Sequence, residues 1–111
     1  MKTAYDTSEH IIRVAVDFSD EPFGRVSSDG PNCGERFRDE LLVPALKEYG
    51  HVTVDLSGAF YGSSWLEEVF GGLVRLGCFP ISYLSEHLTI EHPLQSYVNN
   101  SWHYAESAVE N

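Results

Sequence analysis

Two adjacent hydroxyls, Ser63 and Ser64, stand where the chain changes from one hydrophobic period to another, and they are the first candidates for chemistry. A helix start presents unpaired amide hydrogens and the positive end of the helix dipole, so a phosphate written on a serine there would gain charge-assisted hydrogen bonds. Phosphorylation would change charge and shape together. A second set, Arg25, Asp29 and Arg36, lies beside glycines at 24, 30 and 34 and forms a candidate pocket for a phosphate or carboxylate. The segment lacks the GxxxxGK[ST] loop, so a nucleotide-hydrolysing P-loop is unsupported. Asp55, Glu67 and Glu68 supply carboxylates for acid-base work, but no set of nucleophile, base and orienting group accompanies them. An enzyme working at Arg25, Asp29, Arg36 and Ser63 would require the fold to bring the four together, and the reading adopted is non-enzymatic. His10, His51, His87, His92 and His103 show neither HxxxH nor HExxH spacing, and Cys33 and Cys78 lack a CxxC partner. No metal site, cofactor or disulfide is therefore expected, and the two thiols read as reduced.

The elements that must position these residues follow from periodicity. Val52, Thr53, Val54 and Leu56 form a β-branched, apolar run that breaks at Ser57-Gly58. After Ser64, Leu66, Val69, Phe70, Leu73 and Leu76 recur at three- and four-residue steps and line one face of a helix. Ser64-Trp65-Leu66-Glu67 fits a capping box, which assigns Ser64 as N-cap and leaves Ser63 one residue outside. Gly71-Gly72 interrupts this helix at about 1 kcal/mol per glycine relative to alanine, so another backbone is expected to approach closely, by helix-sheet packing within the domain. Of the aromatics at the turn, Phe60 is expected in the core and Tyr61 at an interface, and the pattern leaves Trp65 open between the two.

Val52-Thr-Val-Asp-Leu followed by Phe60-Tyr-Gly-Ser-Ser-Trp-Leu resembles the core of STAS domains, the fold of bacterial anti-sigma-factor antagonists. Gly24-Arg25, Asp29-Gly30, Gly34-Glu35-Arg36-Phe37-Arg38, Pro44-Ala45-Leu46 and Ser63 to Leu73 are similar to the STAS-like domain family of unknown function found in bacteria and phages. The resemblance spans about the middle two thirds of the chain. It implies a strand that leads through a serine turn into a helix. It also implies binding to a histidine-kinase-like ATPase or serine kinase, with Ser63 at the position that is phosphorylated in the antagonists. Gly62 and Trp65 stand where that motif carries aspartate and glycine. The docking surface implied is Tyr61, Gly62, Ser63, Ser64, Trp65, Glu67, Glu68 and Gly71.

The remaining segments complete a single α/β domain over residues 1–111. His10 to Asp17 predicts a strand, and Arg25 to Ser28 a second short one. Asn32-Cys33-Gly34-Glu35 predicts a capping box opening a helix with apolar positions Phe37, Leu41, Leu42, Ala45, Leu46 and Tyr49, kinked at Pro44. Residues 81–86 predict a short helical turn, His87 to Glu91 a half-buried strand, and Pro93 onward a last amphipathic helix. The expected order is ββαβαβα, with helices set against one small mixed sheet, as in STAS-like folds. The start of the chain has no apolar run of secretory type and no stretch spans a membrane, so a cytoplasmic protein is expected. A formal charge of −10 with seven basic residues argues against nucleic-acid or membrane binding. It leaves open a second function class, an acidic inhibitor from a phage or mobile element that occupies a basic groove on a host protein, by nucleic-acid mimicry in one form. A homodimer through the Gly71-Gly72 helix or the last helix is also open.

Overall fold

The computed structural model describes residues 7–110. The opening segment, read above as no secretory leader, lies largely outside them. Strand β1 (Glu9–Arg13) runs into a single π-helical turn, Val14–Phe18, and then a loop that contains the 3-10 turn Ser27–Asp29. Helix α1 covers 34–48, with a π-helical turn at Arg38–Leu42. Strand β2 (His51–Asp55) follows, and then helix α2 over 63–75, whose middle, Glu67–Gly71, is again π-helical. Helix α3 (Ile81–His87) leads directly into strand β3 (Leu88–Glu91), and helix α4 (Gln95–Ser107) ends in a 3-10 turn. No helix among the described residues is long and apolar enough to cross a membrane.

The sheet has the order β1-β2-β3 and all three strands are parallel. Parallel pairing follows from the connections, because each strand returns to the sheet through helical crossovers rather than a hairpin. Register fixes two rows on the buried side, His10–Val52–Leu88 and Ile12–Val54–Ile90. Their apolar members join Phe37, Leu42, Leu46, Leu66, Phe70, Leu73, Leu84, Val98 and Ala105 in one core. The alternate rows, Ile11–Thr53–Thr89 and Arg13–Asp55–Glu91, are half-buried or exposed.

Three expectations are corrected. Arg25 to Ser28 is not a strand, so the order is βαβααβα and the sheet is parallel rather than mixed. The amides of Arg25 and Val26 donate to the Asp29 carboxylate at 2.9 and 3.1 Å, and the Ser27 amide donates to Glu35 at 3.2 Å. Those donors are satisfied locally and have none left for a neighbouring strand. Strand β1 stops at Arg13 rather than Asp17, because the Asp17 carboxylate turns back to accept the Arg13 amide at 2.7 Å. Neither expected capping box forms. The amides of Gly34 and Glu35 donate to the carbonyls of Gly24 and Arg25, both at 3.0 Å, so a loop from elsewhere in the chain covers the start of α1. Pro44 enters just after the π-helical turn of α1, where the wider spacing accommodates a residue that cannot donate.

Candidate functional site

Helix α2 begins at Ser63 with Gly62 as its N-cap, and no side chain caps it. Gly62, Ser63 and Ser64 are all exposed. Neither serine hydroxyl is engaged by a described residue, and no imidazole or carboxylate is hydrogen-bonded to either. The glutamate expected to close a box on Ser64, Glu67, turns instead to Arg25 and Arg75. The serines sit on the rim of a groove of about 520 Å³ whose other wall is Pro22 to Val26 with Asp29. Phe23 stands in that wall at 69% exposure, an apolar ring in water beside two free hydroxyls.

The groove's floor is a buried aromatic. Trp65 is 1% exposed and donates its indole N–H to the Asn32 carbonyl at 3.0 Å. It packs on Phe37 and Tyr61, with ring centroids 5.2 and 5.0 Å away. The expected placement of its neighbours is reversed: Phe60 is 77% exposed and Tyr61 is 7% exposed. The reason is polar, since the Tyr61 hydroxyl donates to the Leu56 carbonyl at 2.8 Å and so closes the 56–61 loop from inside. Burial pushes the Tyr61 pKa well above its usual value. Tyr61, Trp65, Glu68 and Gly71 are therefore buried and shape the expected docking surface from beneath, while Gly62, Ser63, Ser64 and part of Glu67 reach solvent.

The candidate anion pocket is not assembled. Arg25 is bound to Glu67 and also reaches Glu68 at 3.3 Å, and the hydrogen bond to Glu67 is the main reason its pKa is raised. Asp29 is spent on the loop amides, which hold its carboxyl below the usual range, Val26 foremost. Gly24, at φ 89°, makes this turn, and a Cβ there would collide with Asp29. Arg36 points elsewhere, to Glu40 at 3.1 Å, to the Pro31 carbonyl at 2.8 Å, and over the Phe18 ring. Asp55 accepts from Ser57, and that hydrogen bond lowers its pKa. It lies in no set with Glu67 and Glu68, which face the arginines instead.

Sequence reasoning missed the centre of this network. Arg38 is 2% exposed, and its Nη1 donates to the Glu68 carboxylate at 2.5 Å and the Glu68 carbonyl at 2.9 Å. Its Nε donates to Asp39 at 2.9 Å, and Arg75 joins both glutamates. Gly72 makes room for it: a Cβ at that position would come within 2.6 Å of Arg38 Nη1. At Gly71 a Cβ would meet the Glu67 side chain and lie 3.3 Å from the Tyr104 carbonyl of α4. The close approach inferred from the two glycines is real, but it is to a guanidinium and a helix rather than to the sheet. The signal lay in Arg38 occupying the core stripe of α1 four residues before Leu42, and in Glu68 and Gly72 sharing one face of α2.

The histidines serve as structural partners. His51 meets Thr89 at 2.7 Å, His87 the Gly50 carbonyl at 2.6 Å, and His92 the Ala59 carbonyl at 3.3 Å, while His10 stacks on Tyr49. Among the described residues no cluster of His, Cys, Asp or Glu suits a metal ion. Cys33 is buried and Cys78 half-buried, both as free thiols.

The STAS-like domain of unknown function family (DUF4325) matches residues 33–93, which run from the start of α1 through the serine turn and α2 to just past β3. The chain belongs to this family. No curated protein and no solved structure matches it. The match takes in the Arg38–Glu68 pair, Gly71-Gly72 and Gly62-Ser63-Ser64, whereas β1, the Phe23–Asp29 wall of the groove and α4 lie outside it.

Proposed function

We propose that this STAS-like domain is a non-enzymatic regulatory module of the cytoplasm that binds a protein partner through the turn at Gly62, Ser63 and Ser64. Phe23 and Phe60 supply apolar contact beside that turn. Tyr61 and Trp65 hold it in place from below. One observation carries the reading: two unengaged hydroxyls stand in solvent at the amino end of a helix, at the rim of an aromatic-floored groove. A site for nucleophilic chemistry would hold a base against one of them.

The partner class is a histidine-kinase-like ATPase with serine kinase activity, the class bound by the anti-sigma antagonists that the sequence of the serine turn resembles. Phosphate on Ser63 releases the partner, because it adds charge where Arg25, the basic residue lining the groove, is already held by two glutamates. The test is binding of Ser63→Ala and Ser63→Asp to an ATPase encoded beside this chain. Retained binding by the alanine variant and loss by the aspartate variant supports the switch, and equal affinities remove it. Phe23→Ser binding as well as the parent removes the groove.

A second reading rests on charge. With Arg25, Arg38 and Arg75 occupied internally, the acidic excess of the chain falls on its surface, which suits an acidic inhibitor of a basic host protein. Affinity for such a partner falls steeply with salt, whereas docking through Phe23 and Phe60 responds weakly.

A further inference from the structure

Among the described residues strand β1 has one neighbour, β2, and no strand pairs with its other edge. The His51 amide donates to the Ser8 carbonyl at 2.9 Å, which sets the parity of the parallel ladder. His10 and Ile12, in phase with Ser8, turn their backbone groups toward β2, and Glu9, Ile11 and Arg13 turn theirs outward. The Arg13 amide confirms this phase by donating to Asp17 rather than to β2. The outward N–H and C=O of Ile11 thus stand at an edge that no described strand covers, and the Ile11 side chain is 45% exposed. A groove of about 280 Å³ runs along this edge between the strand and Leu41 of α1.

The side chains on this strand are self-complementary. Glu9, Ile11 and Arg13 share the solvent-facing side, with the acid at one end and the base at the other. Neither charge forms a salt bridge with a described residue. Reversing one copy of the sequence against another about Ile11 sets Glu9 opposite Arg13 at both ends and Ile11 opposite itself. Because Ile11 carries outward backbone groups, the central pair is of the hydrogen-bonded type, in which each Ile11 donates to and accepts from the other. The two requirements, charge register and hydrogen-bond phase, are independent and agree on one alignment.

We propose that β1 is a self-pairing edge at which two copies of this chain join antiparallel about Ile11, giving a continuous six-stranded sheet with order β3-β2-β1-β1-β2-β3. The rotation axis stands perpendicular to the sheet, so both helical layers fall on one side and the Glu9, Ile11 and Arg13 rows on the other. Asp17 already occupies the Arg13 amide, which removes one of the two main-chain hydrogen bonds at each end of the pairing and makes the dimer weak and concentration-dependent. This goes beyond the docking function at the serine turn and is independent of it, since the Ser63 and Ser64 rim lines a different groove from the β1 edge.

Sedimentation velocity over a concentration series from low micromolar to near-millimolar tests it. The parent chain shifts reversibly from monomer to dimer. Glu9→Arg and Arg13→Glu each place like charges opposite one another twice, and each raises the dissociation constant roughly tenfold. The combined Glu9→Arg, Arg13→Glu chain restores both pairs in exchanged positions and returns to within about threefold of the parent. A parent that stays monomeric, single variants that dimerise like the parent, or a combined variant that fails to recover would each overturn the proposal. Hydrogen exchange at the Ile11 amide gives a second measurement on the unsubstituted protein. Protection that rises with concentration supports the edge, and rapid exchange at every concentration overturns it.

Discussion

Replacing the second helical glycine, Gly72→Ala, is expected to destabilise the domain, against the usual sign for a helix. An interior glycine exchanged for alanine ordinarily gains about 1 kcal/mol through propensity. Here the new methyl would lie 2.6 Å from Arg38 Nη1, with the Arg38 Cδ and Cζ at 3.4 and 3.5 Å behind it. A flexible surface arginine would swing aside, but this one is buried and its Nη1 holds both the Glu68 carboxylate and the Glu68 carbonyl. Hydrogen bonds to charged groups contribute about 1.5–3 kcal/mol each, so weakening both costs about 3 kcal/mol. Less the propensity gain, the net loss is about 2 kcal/mol, or about 8 °C in Tm for a domain of this size. Urea unfolding followed by fluorescence measures it, with two controls. Gly62→Ala, where nothing lies within 4 Å, carries no steric penalty and loses no more than about 1 kcal/mol, the N-cap preference for glycine over alanine. In an Arg38→Met background, Gly72→Ala recovers its ordinary gain, which amounts to a coupling energy of about 3 kcal/mol. A Gly72→Ala chain more stable than the parent would show that Arg38 does not dictate the glycine, and the argument for the pair as the centre of the network would fail.

Glu68→Ala strands the Arg38 guanidinium in the core and lowers the unfolding free energy by about 3–5 kcal/mol, while Arg38→Met with Glu68→Leu costs much less because no buried charge is left unpaired, as urea titration will show. Tyr61→Phe removes the 2.8 Å hydrogen bond to Leu56 and costs about 1–2 kcal/mol, whereas Phe60→Ser, at an exposed ring, stays within about 0.5 kcal/mol by the same measurement. Burial opposes ionisation of Glu67, but hydrogen bonds from Arg25 and Arg75 outweigh it and hold the carboxyl below its ordinary 4.5. The unfolded chain then binds this proton at higher pH than the folded one, so the contribution is whole above 4.5 and is lost as pH falls through the folded value. Urea midpoints measured downward from neutral pH should drop across that window, and the drop should be shallower in Glu67→Gln.

Local signals made part of this molecule legible from its sequence. The run Val52 to Leu56 and the change of period after Ser64 are properties of adjacent residues, and they place β2 and α2 within a residue or two of their observed bounds. The α1 stripe of Phe37, Leu42, Ala45 and Leu46 is buried as its spacing requires. Failures occurred where a particular side-chain hydrogen bond, near or far along the chain, overrides composition. Arg25 to Ser28 has strand-forming composition, yet Asp29 and Glu35 take its amides. Ser64-Trp65-Leu66-Glu67 has the composition of a capping box, yet arginines from positions 25 and 75 claim the glutamate. Phe60 and Tyr61 lie in a loop without periodicity, where only the reach of a hydroxyl to the Leu56 carbonyl determines which ring is buried.

The arginines also explain why the candidate site can be exposed and still well placed. Arg38 ties α1 to Glu68, and Arg25 ties the loop wall of the groove to Glu67 and Glu68, so α2 is held on two sides by the charges of its second turn rather than by its amino end. With Trp65 and Tyr61 anchored beneath, Gly62, Ser63 and Ser64 need make no stabilising contact of their own. Substitutions in the charge network should therefore act on stability before they act on partner binding, and substitutions at the three exposed residues should do the reverse. A serine that carried part of the fold could not be modified without loosening the domain. These two are free of that duty, so a change in binding on substituting Ser63 reports on the docking surface itself.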